Sequence, residues 1–94
     1  MEGGQKKQKL NLTREFGKGG KLKSILIEGP MGKRRNSFDS DGTICERCTE
    51  YKNGNWKQTF YKKGVKYVSR EFDGISITTM VFDSDGKLRA VTEE

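Results

Sequence analysis

The chain is short, basic and poor in apolar residues: its 94 residues include 19 Lys and Arg, 13 Asp and Glu, and only 31% hydrophobic residues. A chain of this length forms one small domain, which buries only about two-thirds of its unfolded surface. It has no apolar run of about 18 residues and no apolar N-terminal stretch, so we expect no membrane span, no secretion, and a cytoplasmic or nuclear location.

The positive charge is concentrated in the first third of the chain. Residues 1–35 contain ten Lys or Arg and three Glu, whereas residues 36–94 contain nine Lys or Arg and ten Asp or Glu. This asymmetry indicates a polyanionic partner, the alternative being a solvated basic tail. Because residues 1–21 show no periodicity, we expect a flexible basic arm there, with a short strand at 9–12 as an option, followed by a β domain over 22–94.

The first apolar run, residues 22–27, is short and partly β-branched, which favours a strand. Gly and Pro at 29–32 end it, and the three cations at 33–35 are predicted to form a basic loop.

From residue 44 onward the sequence predicts a regular antiparallel β-meander. Glycine-containing turn dipeptides recur about every ten residues, at 53–54, 63–64, 73–74 and 85–86. The predicted strands between them are 44–52, 55–62, 65–72, 75–83 and 87–92. The fold class is therefore all-β: a single small domain whose meander forms a curled sheet or half-barrel. Both faces of this sheet carry apolar residues, so we expect residues 22–27 to cover one of them.

Two-residue loops at these turns would fix the register of the strands. Tyr51 would then oppose Trp56, and Phe60 would oppose Tyr67, which would in turn oppose Met80. The resulting aromatic row has two interpretations, a packed core or a platform on which nucleobases stack.

The chemical motifs favour structural roles. Residues 38–44 have the DxDGT spacing of aspartyl phosphatases, but no buried strand precedes them, and a similar pattern returns at 82–88. We interpret both segments as hairpin bends in which Asp caps backbone N–H groups, and neither has the Glu that would complete a calcium loop. Cys45 and Cys48 lie in a predicted strand, where residues i and i+3 point to opposite faces, and the chain has no His. We therefore expect no enzyme activity, no metal and no cofactor.

The leading functional hypothesis is binding of RNA or single-stranded DNA by the basic arm, the basic loop and the aromatic face of the sheet. The candidate residues are Lys6, Lys7, Lys9, Arg14, Lys18, Lys21, Lys23, Lys33, Arg34, Arg35, Trp56 and Tyr67. The first alternative is a small protein-interaction module or inhibitor, of the kind that viruses and phages encode, which binds an acidic partner protein or a second copy of itself. The second is a half-barrel that holds an apolar ligand.

Overall fold

A computed structural model describes residues 10–94, and this part of the chain forms one antiparallel sheet of eight strands in sequence order. The strands are β1 Asn11–Phe16, β2 Leu22–Gly29, β3 Gly32–Phe38, β4 Ile44–Tyr51, β5 Trp56–Lys62, β6 Val65–Phe72, β7 Ile77–Phe82 and β8 Leu88–Glu93. The all-β meander predicted from the sequence is confirmed, and the sheet is open. The only helical element of residues 10–94 is one 3-10 turn, Lys18–Gly20, and no helix there could cross a membrane.

The N-terminal part of the sheet differs from the sequence-based expectation. Strand β1 lies inside the stretch 1–21 that was expected to be an arm, and it pairs with β2. Residues 1–9, the rest of that stretch, lie outside the described residues. The basic loop predicted at 33–35 is wrong, because these residues belong to β3. Because these residues are polar, the sequence does not indicate a strand here. Backbone pairing to β2 on one side and β4 on the other stabilises it.

The described residues form a single layer. Strand β2 pairs within the sheet and does not cover one of its faces, so that expectation is wrong. Among residues 10–94 no hydrophobic residue is fully buried, and the buried residues are Ser24, Thr59 and Ser69. The radius of gyration is 16.3 Å, against about 12 Å for a compact domain of this length. Within residues 10–94, neither face of the sheet is covered by a second layer.

The turns are where the sequence predicts them, but most are built differently. Gly54, Gly74 and Gly86 all have positive φ, as expected for hairpin turns. Of the four predicted turns, only Lys63–Gly64 has positive φ at two consecutive residues. The other hairpins differ from the predicted two-residue pattern.

The β4–β5 hairpin shows the consequence for the register. The Tyr51 N–H donates to the Asn55 carbonyl and the Gly54 N–H donates to the Tyr51 carbonyl, which gives a loop of three residues. Glu50, and not Tyr51, therefore opposes Trp56. Phe60 likewise opposes Val68, because a bulge in β6 displaces Tyr67. The predicted pairs of Tyr51 with Trp56, of Phe60 with Tyr67 and of Tyr67 with Met80 are thus wrong, since Met80 opposes Ser69.

The register assigns the side chains to two faces, because paired residues of neighbouring strands share a face. One face, which we call the tryptophan face, contains the row Glu50, Trp56, Phe72, Ile77 and, four residues along each strand, the row Glu46, Phe60, Val68, Val81. The polar row Cys48, Gln58, Arg70, Thr79 lies between these two rows. We call the other the arginine face. It contains the row Arg14, Ile25, Asn36, Arg47, Thr59 and the row Leu12, Ile27, Arg34, Thr49, Lys57.

Candidate polyanion-binding face

Four exposed cations lie on the arginine face over strands β1 to β5, and we call them the arginine patch: Arg14, Arg34, Arg47 and Lys57. No Asp or Glu of these five strands shares their face; Glu71 of the adjacent strand β6 opposes Lys57 on it. Five strands about 4.8 Å apart make the patch roughly 20 Å wide. Such a run of one sign of charge creates a positive potential that attracts a polyanion.

Cross-strand hydrogen bonds hold two of the guanidinium groups in place. Arg34 Nε donates to Thr49 Oγ1 at 3.3 Å, and Arg47 Nε donates to Asn36 Oδ1 at 3.1 Å. Because these bonds use only Nε, each arginine keeps its Nη donors for an anion, and a guanidinium binds phosphate well through paired N–H groups.

A recess of about 250 Å³ opens beside the patch, at the end of β2, β3 and β4. Arg34, Thr49 and Tyr51 line one side, and Leu10 and Ile27 line the other. Tyr51 is 45% exposed, so its ring is available for stacking. The recess places an aromatic ring next to the arginine patch on the same face.

Two facing glycines keep this recess open. Gly29 pairs with Gly32, so neither strand places a side chain there. A Cβ atom on Gly29 would lie 2.6 Å from Leu10 Cδ2, and a Cβ atom on Gly32 would collide with the Glu50 carbonyl. Gly32 also has a φ of 138°, which L side chains rarely adopt.

The structure separates the cations that the sequence places together in 33–35. Arg34 lies on the arginine face, whereas Lys33 and Arg35 lie on the tryptophan face, because consecutive strand residues alternate. Lys33 faces Glu50 there, with Nζ 3.9 Å from a carboxylate oxygen. These three cations therefore do not form one cluster on a single face, and their binding role stays a prediction.

The two aromatic candidates also lie away from the arginine patch. Trp56 is on the tryptophan face, where its ring centroid is 6.2 Å from that of Phe72. Tyr67 lies in the β6 bulge, 6.4 Å from the Phe60 ring. Trp56 therefore does not share a face with the arginine patch, and its role in stacking stays a prediction.

The remaining lysine candidates lie around or outside the described sheet. Lys18 is in the 3-10 turn, Lys21 Nζ donates to the Ser40 carbonyl at 3.2 Å, and Lys23 lies at the irregularity between β1 and β2. Lys6, Lys7 and Lys9 lie outside the described residues.

Sequence reasoning missed three residues of this face: Arg47, Lys57 and Tyr51. Their signal is alternation within a strand, since Arg47, Thr49 and Tyr51 are two residues apart in β4. Placing Arg47 and Lys57 on the same face requires the register between β4 and β5. A two-residue loop predicts that register wrongly, by one residue.

The other motifs have the structural roles expected of them. The Asp41 carboxylate accepts bonds from the Thr43 hydroxyl and the Thr43 N–H, and these bonds lower the pKa of Asp41. Asp83 similarly accepts from the N–H groups of Asp85, at 2.9 Å, and Lys87, at 3.0 Å. Over residues 10–94 no group of three or more His, Cys, Asp or Glu side chains is placed to hold a metal ion.

The two thiols lie on opposite faces of β4, as predicted, since Cys48 shares its face with Gln58 and Cys45 is three residues away. Burial raises the pKa of both thiols, with the nearby carboxylate of Asp39 adding to the effect at Cys45. A raised pKa keeps them protonated and poorly nucleophilic.

Comparison of the chain with known protein families, curated proteins and solved structures gives no match.

Proposed function

We propose that this chain is a non-enzymatic protein that binds single-stranded RNA or DNA on its arginine face. The observation that carries the proposal is the arginine patch, four exposed cations with no carboxylate on the same face of β1 to β5, next to the Tyr51 recess. We also propose a cytoplasmic or nuclear location, which the two free thiols support.

The patch and the recess supply the two interactions that a single strand needs. Arg14, Arg34, Arg47 and Lys57 contact phosphates, which gives affinity without sequence preference. A base that leaves the strand stacks on Tyr51, and such stacking contributes about 1–3 kcal/mol per base. The recess is large enough for one base and has an arginine at its wall.

The tryptophan face suits a polyanion less well. The side chains on this face include four carboxylates and four cations. The carboxylates are Glu15, Glu28, Glu46 and Glu50, and the cations are Lys33, Arg35, Lys62 and Arg70. With the charges balanced, this face has no net attraction for phosphate.

The alternation along β3 provides a matched experiment. The double variant Arg34→Glu/Arg47→Glu changes the arginine face, and Lys33→Glu/Arg35→Glu makes the same change of net charge on the tryptophan face. Binding of a fluorescein-labelled single-stranded oligonucleotide is measured by anisotropy at low salt. We expect the first variant to lose at least about tenfold in affinity and the second to lose much less, because only the first removes phosphate contacts.

The salt dependence tests the same proposal in the unmodified protein. Four phosphate contacts on a single strand give a slope of about −2.8 for log K against log salt, at about 0.7 per contact. Equal losses in both double variants would show non-specific attraction to the net charge, and no binding at low salt would end the proposal. In that second case an acidic protein becomes the candidate partner of the arginine patch.

A further inference from the structure

The arginine face has a second feature, a row of aromatic rings at one end of the strands. Arg14 and Phe16 are two residues apart in β1, so they share a face, and Asn36 and Phe38 are related in the same way in β3. The same alternation in β5 and β7 continues the row. We call it the aromatic row: Phe16, Phe38, Tyr61 and Phe82.

The aromatic row recurs with the hairpins of the sheet. One ring stands near the end of the first strand in each of the hairpins β1–β2, β3–β4, β5–β6 and β7–β8, and the register shifts just before each ring. Because the four hairpins are built alike at this place, the rings follow a line across the sheet, two strands or about 10 Å apart. A line of equivalent rings suits a ligand that is itself made of repeating units.

The rings over the first five strands are accessible. Phe16 is 58% exposed and Phe38 is half-buried. Phe38 and Leu22 line a recess of about 460 Å³ at this end of the sheet. Phe82 is already partly covered, because the Lys66 ammonium lies 4.5 Å from its ring centroid.

The aromatic row runs directly beside the arginine patch. Two residues along a strand span about 7 Å, so Phe16 lies one such step from Arg14, in a row parallel to that of Arg14 and Arg47. The recess at Phe38 is lined by one cation and two carboxylates: Lys21, Asp39 and Asp41. Such a mixture attracts phosphate less than the patch does, whereas carboxylates accept hydrogen bonds from the amino groups of bases. The charges therefore orient a nucleotide with its phosphate over the patch and its base toward the rings.

We propose that the aromatic row stacks successive bases of the single strand whose phosphates lie on the arginine patch. This stacking site depends on the proposed function and extends it, because it gives the strand a path across β1 to β5. Tyr51 lies at the other end of β4, so it takes a base on the far side of the patch. Aromatic rings stack on every base, so the row adds affinity with little sequence preference.

The test compares two ligands and two double variants of the full chain. The ligands are a fluorescein-labelled single-stranded DNA and an abasic strand of the same length, which keeps the phosphates. Phe16→Leu/Phe38→Leu removes two rings from the arginine face, and Phe60→Leu/Phe72→Leu removes two from the tryptophan face. Anisotropy at low salt measures both affinities. We expect the first variant to bind the ordinary strand at least about tenfold more weakly with its affinity for the abasic strand unchanged, and the second to keep both affinities.

NMR of the unmodified protein gives a readout that needs no variant. Base protons of the bound strand should move upfield and show NOEs to the Phe38 ring, even where Phe16→Leu/Phe38→Leu fails to fold. Equal affinity of the unmodified protein for the two strands, or equal losses in the two double variants, would overturn the stacking site and leave the arginine patch as a phosphate site. Unchanged affinity with a lowered Tm in Phe16→Leu/Phe38→Leu would also overturn it. Absence of binding to either strand would end the stacking site and the proposed function together.

Discussion

At the scale of single residues, alternation along a strand decides which groups can act together. Lys33, Arg34 and Arg35 are adjacent in sequence, yet only Arg34 shares a face with Arg47. Arg47 and Lys57 are ten residues apart in sequence and lie diagonally across neighbouring strands. The chemistry of the arginine face thus depends on residues that a search for basic clusters does not find.

Gly32 is the residue whose conformation most constrains the recess. Gly32→Ala should lower the free energy of unfolding by at least about 2 kcal/mol, because the added Cβ meets the Glu50 carbonyl and φ is 138°. Gly54→Ala is the control, since Gly54 also has positive φ but nothing lies near its Cβ, and it should cost about 1 kcal/mol. Urea titration measures both, and equal losses would show that the contact with Glu50 is unimportant.

Asp73 should make the stability of the β6–β7 turn depend on pH. Its carboxylate accepts from the N–H groups of Ser76, at 3.0 Å, and Ile75, at 2.9 Å, and these bonds lower its pKa. Because its pKa is lowered, the Asp73 carboxylate contributes its full stabilisation of the folded state at pH values above the ordinary carboxyl pKa, about 4. This stabilisation is lost as the pH falls from there through the pKa of the folded state.

Two variants separate the charge of Asp73 from its hydrogen bonds. Asp73→Asn keeps an oxygen acceptor and should remove the pH dependence while retaining part of the stability, whereas Asp73→Ala should lose both. NMR titration of the Asp73 carboxyl checks the direction, and a pKa at or above the ordinary value would contradict it.

At the scale of elements, the hairpin loops determine the register. The Asp-Gly and Asn-Gly dipeptides identify the turns correctly, since Gly54, Gly74 and Gly86 all have positive φ. They do not give the loop length: at β4–β5 the loop has three residues, and at β6–β7 the Asp73 N–H donates to the Ser76 carbonyl, which moves the loop one residue along. At β4–β5 the register changes by one residue, which moves every side chain of a strand to the other face, whereas at β6–β7 it changes by two residues and the faces are kept.

Within residues 10–94, Lys63 is the one residue other than glycine with positive φ, at 52°. Lys63→Asn should stabilise the β5–β6 hairpin by about 0.5–1 kcal/mol, because asparagine tolerates this conformation and Asn-Gly suits the turn. Lys62→Asn, in the neighbouring strand position, should give no gain because asparagine is a poor strand former. Thermal unfolding of the two variants compares them, and a loss of stability in Lys63→Asn would contradict the turn assignment.

The strands differ in how well the sequence predicts them. The five strands after residue 44 were predictable within about two residues of their ends, because glycine turns and β-branched residues mark them. Strand β3 was not, since Lys33, Arg34, Arg35 and Asn36 carry no apolar alternation and are strand residues only through their neighbours. The candidate site was predicted only in Arg14 and Arg34, because its other members depend on the register.

At the scale of the whole molecule, the described chain behaves as a chain of hairpins. Extensive contacts join only strands that are consecutive in sequence, so stability arises between neighbours and not from a common core. A single layer leaves two large faces, one balanced in charge and partly apolar, the other cationic. The proposed contact with a polyanion uses the cationic face.

The most direct test of the account is an NMR titration of the full chain with a single-stranded oligonucleotide, observing the Nε–H signals of Arg34 and Arg47 and the indole N–H of Trp56. These groups lie on opposite faces of the same sheet. The account predicts that both arginine signals shift as phosphate binds, together with the Tyr51 ring signals, while the Trp56 signal stays in place. A shift of the Trp56 signal with both arginine signals unchanged would contradict the assignment of binding to the arginine face.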